Sequence, residues 1–383
     1  MTLITTTDQL SNFCKPLHRT SFVTVDTEFM RENTYWPILC LVQIAGPNNF
    51  AAIDPLAKEI DLTPLFNLLR DTNVVKVFHA ARQDIEIFLN LMDEVPAPVF
   101  DTQVAAMVCG YGESVGYDNL ILKLTNIQLD KGPRFTDWSL RPLSNRQLEY
   151  ALADVTHLRI AYEKLYARLE REQRGSWIEE EMANLAEPTT YRIEPMMAYQ
   201  RIKVRSGKGK FLSVLRELAA WRELEARRRD VPRNRVLKDE SLTEIAHNTP
   251  TNSQLLVKSR GLSAKVAEGQ MGNQILNAVK RGLSVPQINW PKPIEKPDLP
   301  RNIGPVVDLL KVLLKKVSDE TNVAGRLIAN SADIELIAGL GEDAAVAALK
   351  GWRRQIFGAD ALRLRAGQLS IAIYKNKLII EDR

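Results

Sequence analysis

The stretch SFVTVDTEFMRENTYWPILCLVQI, residues Ser21 to Ile44, decides how the chain is read. It opens as an apolar run suited to a buried strand, yet Asp26 and Glu28 stand at the end of that run, two residues apart. Side chains at i and i+2 of a strand share a face, so the two carboxylates stand side by side. Like charges that close repel, and removal from water makes the repulsion worse. Either the strand end is fully solvated, or a cation lies between the pair.

Outward from that strand, residues 38–45 and 49–53 read as two more strands, joined by a tight turn over Gly46 to Asn49. The amphipathic DLTPLFNLL precedes a short β-rich run, VVKVF (Val74 to Phe78), and a helix is predicted from about Ala80 to Leu89. PAPVF then leads into Asp101, where DTQVAAMVCGY has helical spacing. Ser144, with Gln147 three residues later, forms a capping-box pattern at the head of the longest helical stretch, residues 144–172. A meander of strands followed by alternating strands and helices predicts an α/β layer with a mixed sheet flanked by helices.

Beyond about residue 185 the strand patterns stop. Residues 207–283 are helical throughout, with breaks at DVPRN, HNTP and near RGLS. PQINWPKPIEKPDLP has five prolines in fifteen residues and predicts an extended, stiff connector. A second helical segment runs from Gly304 to about Phe357, and the tail LSIAIYKNKLII alternates like a strand or a packed extension. The division predicted is an α/β domain over 1–180, a helical linker over 181–206, an all-α domain over 207–285, a Pro-rich linker over 286–302 and a second all-α domain over 303–383.

A chain of 383 residues exceeds one core, in line with two or three domains. With 45% hydrophobic and 26% charged residues it has the composition of a globular protein. No apolar run approaches the roughly 20 residues of a membrane span, and MTLITTTDQL lacks the order of a signal peptide, so no membrane partner is expected and the cytoplasm is the expected compartment. Cys14, Cys40 and Cys109 are odd in number without paired spacing, which argues against disulfide and zinc frameworks and for small buried hydrophobes. The net charge of +4 hides an asymmetry: residues 1–180 carry 17 Lys and Arg against 24 Asp and Glu, the remainder 34 against 23. An acidic half beside a basic half fits cations held in one and a polyanion attracted by the other.

Two more acids stand in telling places. Asp84 falls in the first turn of the helix after VVKVF, and Asp154 follows Tyr150 by four residues in YALADV, which puts phenol and carboxylate on one helical face. Four carboxylates without a Cys or His cluster form a hard oxygen site, suited to Mg²⁺ or Mn²⁺. Two such ions about 3.5–4 Å apart serve in-line phosphodiester displacement. Tyr150 would position the attacking water, since a phenol with pKa near 10 is a poor base at neutral pH. His79 reads as a packing or hydrogen-bonding residue, His157 as a helix-surface residue, and Asp101 as a helix cap or supporting group.

This ordered set resembles the DEDDy 3′–5′ exonuclease superfamily and, within it, the ribonuclease D family. VDTEFMRENTYWPILCLVQIA is similar to the first motif, HAARQDIEIF to the second, and the segment DNLILKLTNIQLDKGPRFTDWSLRPLSNRQLEYALADVTHL to the stretch ending in the third. The resemblance implies Asp26, Glu28, Asp84 and Asp154 as metal-binding acids and Tyr150 as the tyrosine of the subclass. A related subclass has histidine five residues before the last aspartate; here that position is Glu149. It also implies a ribonuclease H-like exonuclease domain, two divalent ions, and trimming of RNA 3′ ends with release of nucleoside 5′-monophosphates. Precursor tRNAs with 3′ extensions and other small structured RNAs are the substrates it implies, acted on by a monomer.

In the basic half, LRELAAWRELEARRRDVPRNRVLKDESLTEIA, NTPTNSQLLVKSRGLS and GNQILNAVKRG resemble the HRDC module, a small helical bundle. A phosphate-tracking surface there would raise affinity without reading sequence. VVDLLKVLLKKVSDETNVAGRLIANSADIELI resembles a second, diverged copy. The rival readings are the same chemistry on DNA and a catalytically silent RNA-binding protein; the match to the RNA-trimming family disfavours the first and the full set of acids the second. With all five site residues before position 160, removal of residues from about 207 onward is expected to leave an active nuclease.

Overall fold

The computed structural model describes residues 2–130, 132–204, 207, 209–292 and 297–383. Positions 205, 206 and 208 of the basic stretch, Lys131 of the third-motif segment and residues 293–296 of the Pro-rich connector lie outside the described residues. Contacts divide the chain into two units: Met1–Glu28, Leu41–Glu187 and Pro297–Arg383 in one, Phe29–Cys40 and Pro188–Lys296 in the other. No helix among the described residues is long and apolar enough to cross a membrane.

The first unit is built on a six-stranded sheet. Its strands are β1 (Leu3–Ile4), β2 (Phe22–Met30), β3 (Ile38–Ala45), β4 (Phe50–Ile53), β5 (Val75–Phe78) and β6 (Val99–Asp101), in the order β1-β4-β3-β2-β5-β6. β2 pairs with β5 and β5 with β6 in parallel, whereas β3 and β4 are antiparallel, so the sheet is mixed as predicted. Val23, Thr24 and Val25 on β2 are completely buried, and burial gives way to partial exposure at Asp26 and Glu28. The acids therefore fall at the carboxyl ends of parallel strands, where open α/β sheets bind ligands.

Helices α1 (Thr7–Leu17), α2 (Thr63–Arg70), α3 (Arg82–Met92), α4 (Thr102–Val108), α5 (Tyr117–Thr125), α6 (Asn145–Arg171) and α7 (Gly175–Ala186) complete this part. The capping box predicted at Ser144 and Gln147 is formed in full. α6 buries Ala151, Leu152, Val155 and Leu158, and the Thr24 hydroxyl on β2 donates to the Val155 carbonyl at 2.8 Å. That bond fixes the turn of α6 that carries Asp154.

The second unit contains α8 (Gly209–Arg229), α9 (Arg233–Val236), α10 (Asp239–Asn248), α11 (Ser253–Leu256), α12 (Ala264–Glu268) and α13 (Gln270–Ser284) around Leu215, Leu218, Leu242, Ile245 and Ile275. α8 and α13 meet at Gly282, where an added Cβ would come within 2.5 Å of Val214 Cα. The dense arginine run is partly internal. Arg222 is buried, donates to the Leu237 carbonyl and pairs with Asp239, and Arg227 and Arg233 turn onto buried Glu223. Fewer of these charges face a polyanion than the sequence alone indicates.

The last segment packs with the α/β part. It comprises α14 (Gly304–Thr321), α15 (Gly325–Ile328), α16 (Ser331–Leu340), α17 (Gly351–Arg353) and α18 (Ala359–Arg365), then β7 (Leu369–Tyr374) and β8 (Lys377–Asp382). β7 and β8 form an antiparallel hairpin whose turn residues Lys375 and Asn376 both have positive φ. The segment has its own apolar core but groups with the α/β part. Ala324 N donates to Met107 O at 2.9 Å, Arg174 donates to both Val108 O and Thr321 O, and Trp177 stacks on Trp352 at 4.6 Å. Arg353, 3% exposed, pairs with Glu180 and Glu181 on α7. At Gly110, φ is +77° and a Cβ would approach Asn322 O within 2.7 Å, so only glycine fits. These contacts join residues far apart in sequence, which is why local patterns did not reveal them.

Candidate active site

Asp26 and Glu28 on β2 and Asp154 on α6 each place a carboxylate oxygen within 4.8 Å of the others, the group of acids among the described residues that suits a metal ion. The period-2 strand geometry sets the first two together, and the Thr24 bond to α6 brings the third to them. Tyr117 on α5 secures the same turn: its hydroxyl donates to the carbonyls of Ala153 and Asp154.

Asp84 lies outside that triplet. It sits in the first turn of α3 as predicted, is 7% exposed, and accepts a hydrogen bond from the Thr27 hydroxyl. Burial and the neighbouring Asp26 charge push its carboxyl well above the ordinary value, and the Thr27 bond opposes the shift. Asp26 itself is pushed up to about 6 by burial, opposed by a backbone hydrogen bond from Thr27. Crowded carboxylates that resist ionisation are relieved by a cation, and oxygen donors alone suit a hard divalent ion rather than zinc. The donor set therefore fits divalent metal.

Asp101 is the N-cap of α4, accepting from Gln103 N at 2.7 Å, and it also accepts from Ala80 N and Ala81 N. Those two amides precede α3, and Ala80 has φ of +58°, so one carboxylate braces the turn that delivers Asp84. His79 shares hydrogen bonds with the Thr102 hydroxyl and the Val115 carbonyl and packs edge-on against Tyr117. Burial holds its imidazole below the ordinary pKa, against the opposing effects of the Asp101 charge and the Val115 hydrogen bond. His157 is half-buried with an unpartnered Nδ1 rather than lying on the open helix surface.

Tyr150 lies one helical turn before Asp154, with its ring 6.2 Å from that of Trp138. Trp138 belongs to a loop held by Arg141, which makes a bidentate pair with buried Asp54 and donates to the Trp138 carbonyl. Thr24, Thr27, Tyr117 and Arg141 were not among the residues singled out from sequence. Thr27 had a signal, a hydroxyl between two acids in DTE; the others act through contacts that span up to 131 positions.

The sequence matches the family described as 3′–5′ exonuclease over residues 1–170 and the HRDC domain family over residues 211–279. It is 48% identical to ribonuclease D of Granulibacter bethesdensis, over 97% of this chain and 94% of that one. With ribonuclease D of Nitrobacter hamburgensis it is 49% identical over the whole of both chains. The crystal structure of Escherichia coli RNase D, described as an exoribonuclease involved in structured RNA processing, superposes with a TM-score of 0.80 at 29% identity, covering 95% of this chain and 98% of that one.

Proposed function

The chain belongs to the ribonuclease D family of 3′–5′ exoribonucleases, and on that premise we propose that it trims the 3′ ends of precursor tRNAs and other small structured RNAs, using two Mg²⁺ or Mn²⁺ ions held by Asp26, Glu28, Asp84 and Asp154. The observation that carries the site assignment is the convergence of Asp26, Glu28 and Asp154 within 4.8 Å beside buried Asp84. When bound, the ions supply an activated water and stabilise the leaving oxygen. The four carboxylates would hold that charge from the carboxyl half of β2, the third turn of α6 and the first turn of α3. Tyr150, one turn from Asp154, orients the attacking water.

The RNA bodies would be held by basic residues of the helical parts, without sequence readout. Residues 303–383 are read as a second, diverged HRDC-like module. The support is a shared succession: α8, α9 and α10 have 21, 4 and 10 residues, and α14, α15 and α16 have 18, 4 and 10.

The test is digestion of RNA and DNA oligonucleotides, labelled at the 3′ or the 5′ end, with Mg²⁺ or Mn²⁺ and with a precursor tRNA alongside. Stepwise shortening of 5′-labelled RNA with immediate release of the 3′ label as a mononucleotide is expected. Faster digestion of DNA than RNA, or indifference to a 3′ extension on the tRNA, would overturn the substrate assignment.

A further inference from the structure

The second unit contains a piece of chain that begins one residue after Glu28, the segment Phe29–Cys40. At its centre Tyr35, 9% exposed, is packed into the core of the helical bundle. Its hydroxyl donates to the Glu223 carboxylate and accepts from Arg227 Nε and Arg233 Nη2, each at 3.2 Å. Both guanidinium groups lie over its ring, at 5.7 and 5.0 Å. Glu223 is completely buried and takes further hydrogen bonds from the same two arginines. Burial would push its carboxyl up, but the hydrogen bonds from Arg233 and Tyr35 and the two arginine charges hold it below the ordinary value. Asp230 completes the grip by accepting from the backbone amides of Tyr35 and Trp36 at 3.0 Å.

A link between consecutive strands needs none of this. Hairpin loops usually close with two to five residues, whereas β2 ends at Met30 and β3 begins at Ile38. The longer loop is instead fastened by an ionised, fully paired carboxylate, an arrangement that fixes one conformation because losing any partner leaves a buried charge uncompensated. Glu28 lies two residues inside β2 from the start of that loop. Catalytic groups must be held to about 0.5 Å to work, and residues beyond the first contact layer do the holding.

We propose that Tyr35 is a positioning residue for the nuclease reaction: gripped by Glu223, Arg227, Arg233 and Asp230, it fixes the loop that runs on from β2 and thereby the pose of the Glu28 carboxylate. The helical bundle then serves the cleavage step as well as RNA affinity. The inference rests on Glu28 as a metal ligand, and the two are separable by experiment.

The full chain is compared with Tyr35→Phe and Asp230→Ala on a short single-stranded oligoribonucleotide, with MgCl₂ titrated at saturating RNA. Asp230 is exposed, so its variant decides alone should Tyr35→Phe fail to fold. Ser213→Ala is the control, since it removes a buried hydrogen bond to Gly282 O in the same bundle without touching the loop. The expected result is a drop in kcat of about tenfold and a several-fold rise in half-saturating Mg²⁺ for both loop variants, with KM for RNA within about twofold. Ser213→Ala should leave all three constants near wild type. Unchanged kcat and Mg²⁺ dependence in the folded loop variants, a change in KM alone, or an equal loss in Ser213→Ala would overturn the proposal. Glu28→Gln is measured in parallel: if it is active the metal assignment itself falls, and if it is inactive while the loop variants are normal only the positioning role falls.

Discussion

Asn in place of Asp26 keeps the size of the side chain and removes its charge. Because burial disfavours that charge when no cation is bound, Asp26→Asn should leave the metal-free protein folded with an unfolding midpoint no lower than wild type. Cleavage should fall by at least about 10²- to 10³-fold, as when electrostatic stabilisation is removed; retention of a tenth of the wild-type rate would take Asp26 out of the site. Tyr150→Phe preserves the ring beside Trp138 and should cost roughly 10²-fold in kcat with metal affinity unchanged. Normal kcat from pH 7 to 9 would show that the hydroxyl does no positioning. The Asp26 carboxyl also sets a pH window. Its folded pKa, about 6, lies above the ordinary 3.8, so between those values the folded state holds a proton that the unfolded state has released. The metal-free protein therefore loses stability as pH rises through this window, while divalent ions, which need the ionised form, bind more tightly. Calorimetric titration of Mn²⁺ at pH 5, 6 and 7 should show rising affinity, and a pH-independent constant would contradict it.

At the scale of elements, the site depends on how α6 is docked. Thr24 is completely buried on β2, and its hydroxyl donates to Ala45 O at 3.2 Å and Val155 O at 2.8 Å. Thr24→Val keeps the shape but removes the one hydroxyl proton shared between those two carbonyls, which should destabilise the first unit by about 1 kcal/mol in urea unfolding. Since Val155 adjoins Asp154, kcat should fall as well; an unchanged urea midpoint would mean that apolar packing alone seats the helix. The elements themselves were largely legible. The strand at Ser21 to Thr27, the turn at Gly46 to Asn49 and the capping box at Ser144 rest on alternation, turn residues and reciprocal side-chain bonds, all properties of short windows. The two-residue β1 carries too little pattern to stand out and is defined by its pairing with β4.

Across the whole molecule, the grouping of the last segment with the α/β part revises the expected effect of truncation. A chain ending near residue 207 would lose the Trp352 face stacked on Trp177, the partner of Glu180 and Glu181, and the amide bonded to Met107 O. The expected outcome is a fragment with a lower thermal midpoint and reduced activity on short RNA as well as on tRNA, measured against a chain carrying only Arg353→Met. A stable fragment with full activity on short oligonucleotides would show that the α/β part closes its own core. The mixed sheet, the helical character of the second half and the five candidate site residues were legible in the linear chain, because period, capping and the spacing of acids are local. Folding, through long-range packing, sets Asp84 buried against Thr27 rather than in the triplet, and makes arginines in a run resembling an RNA-facing surface grip Glu223 and the loop after β2. It also groups residues 297–383 with the α/β part. Each of these is a choice among partners distant in the chain, made by the energy of burying charge with its counter-charge and apolar surface with its match, and no window of consecutive residues contains both sides of that choice.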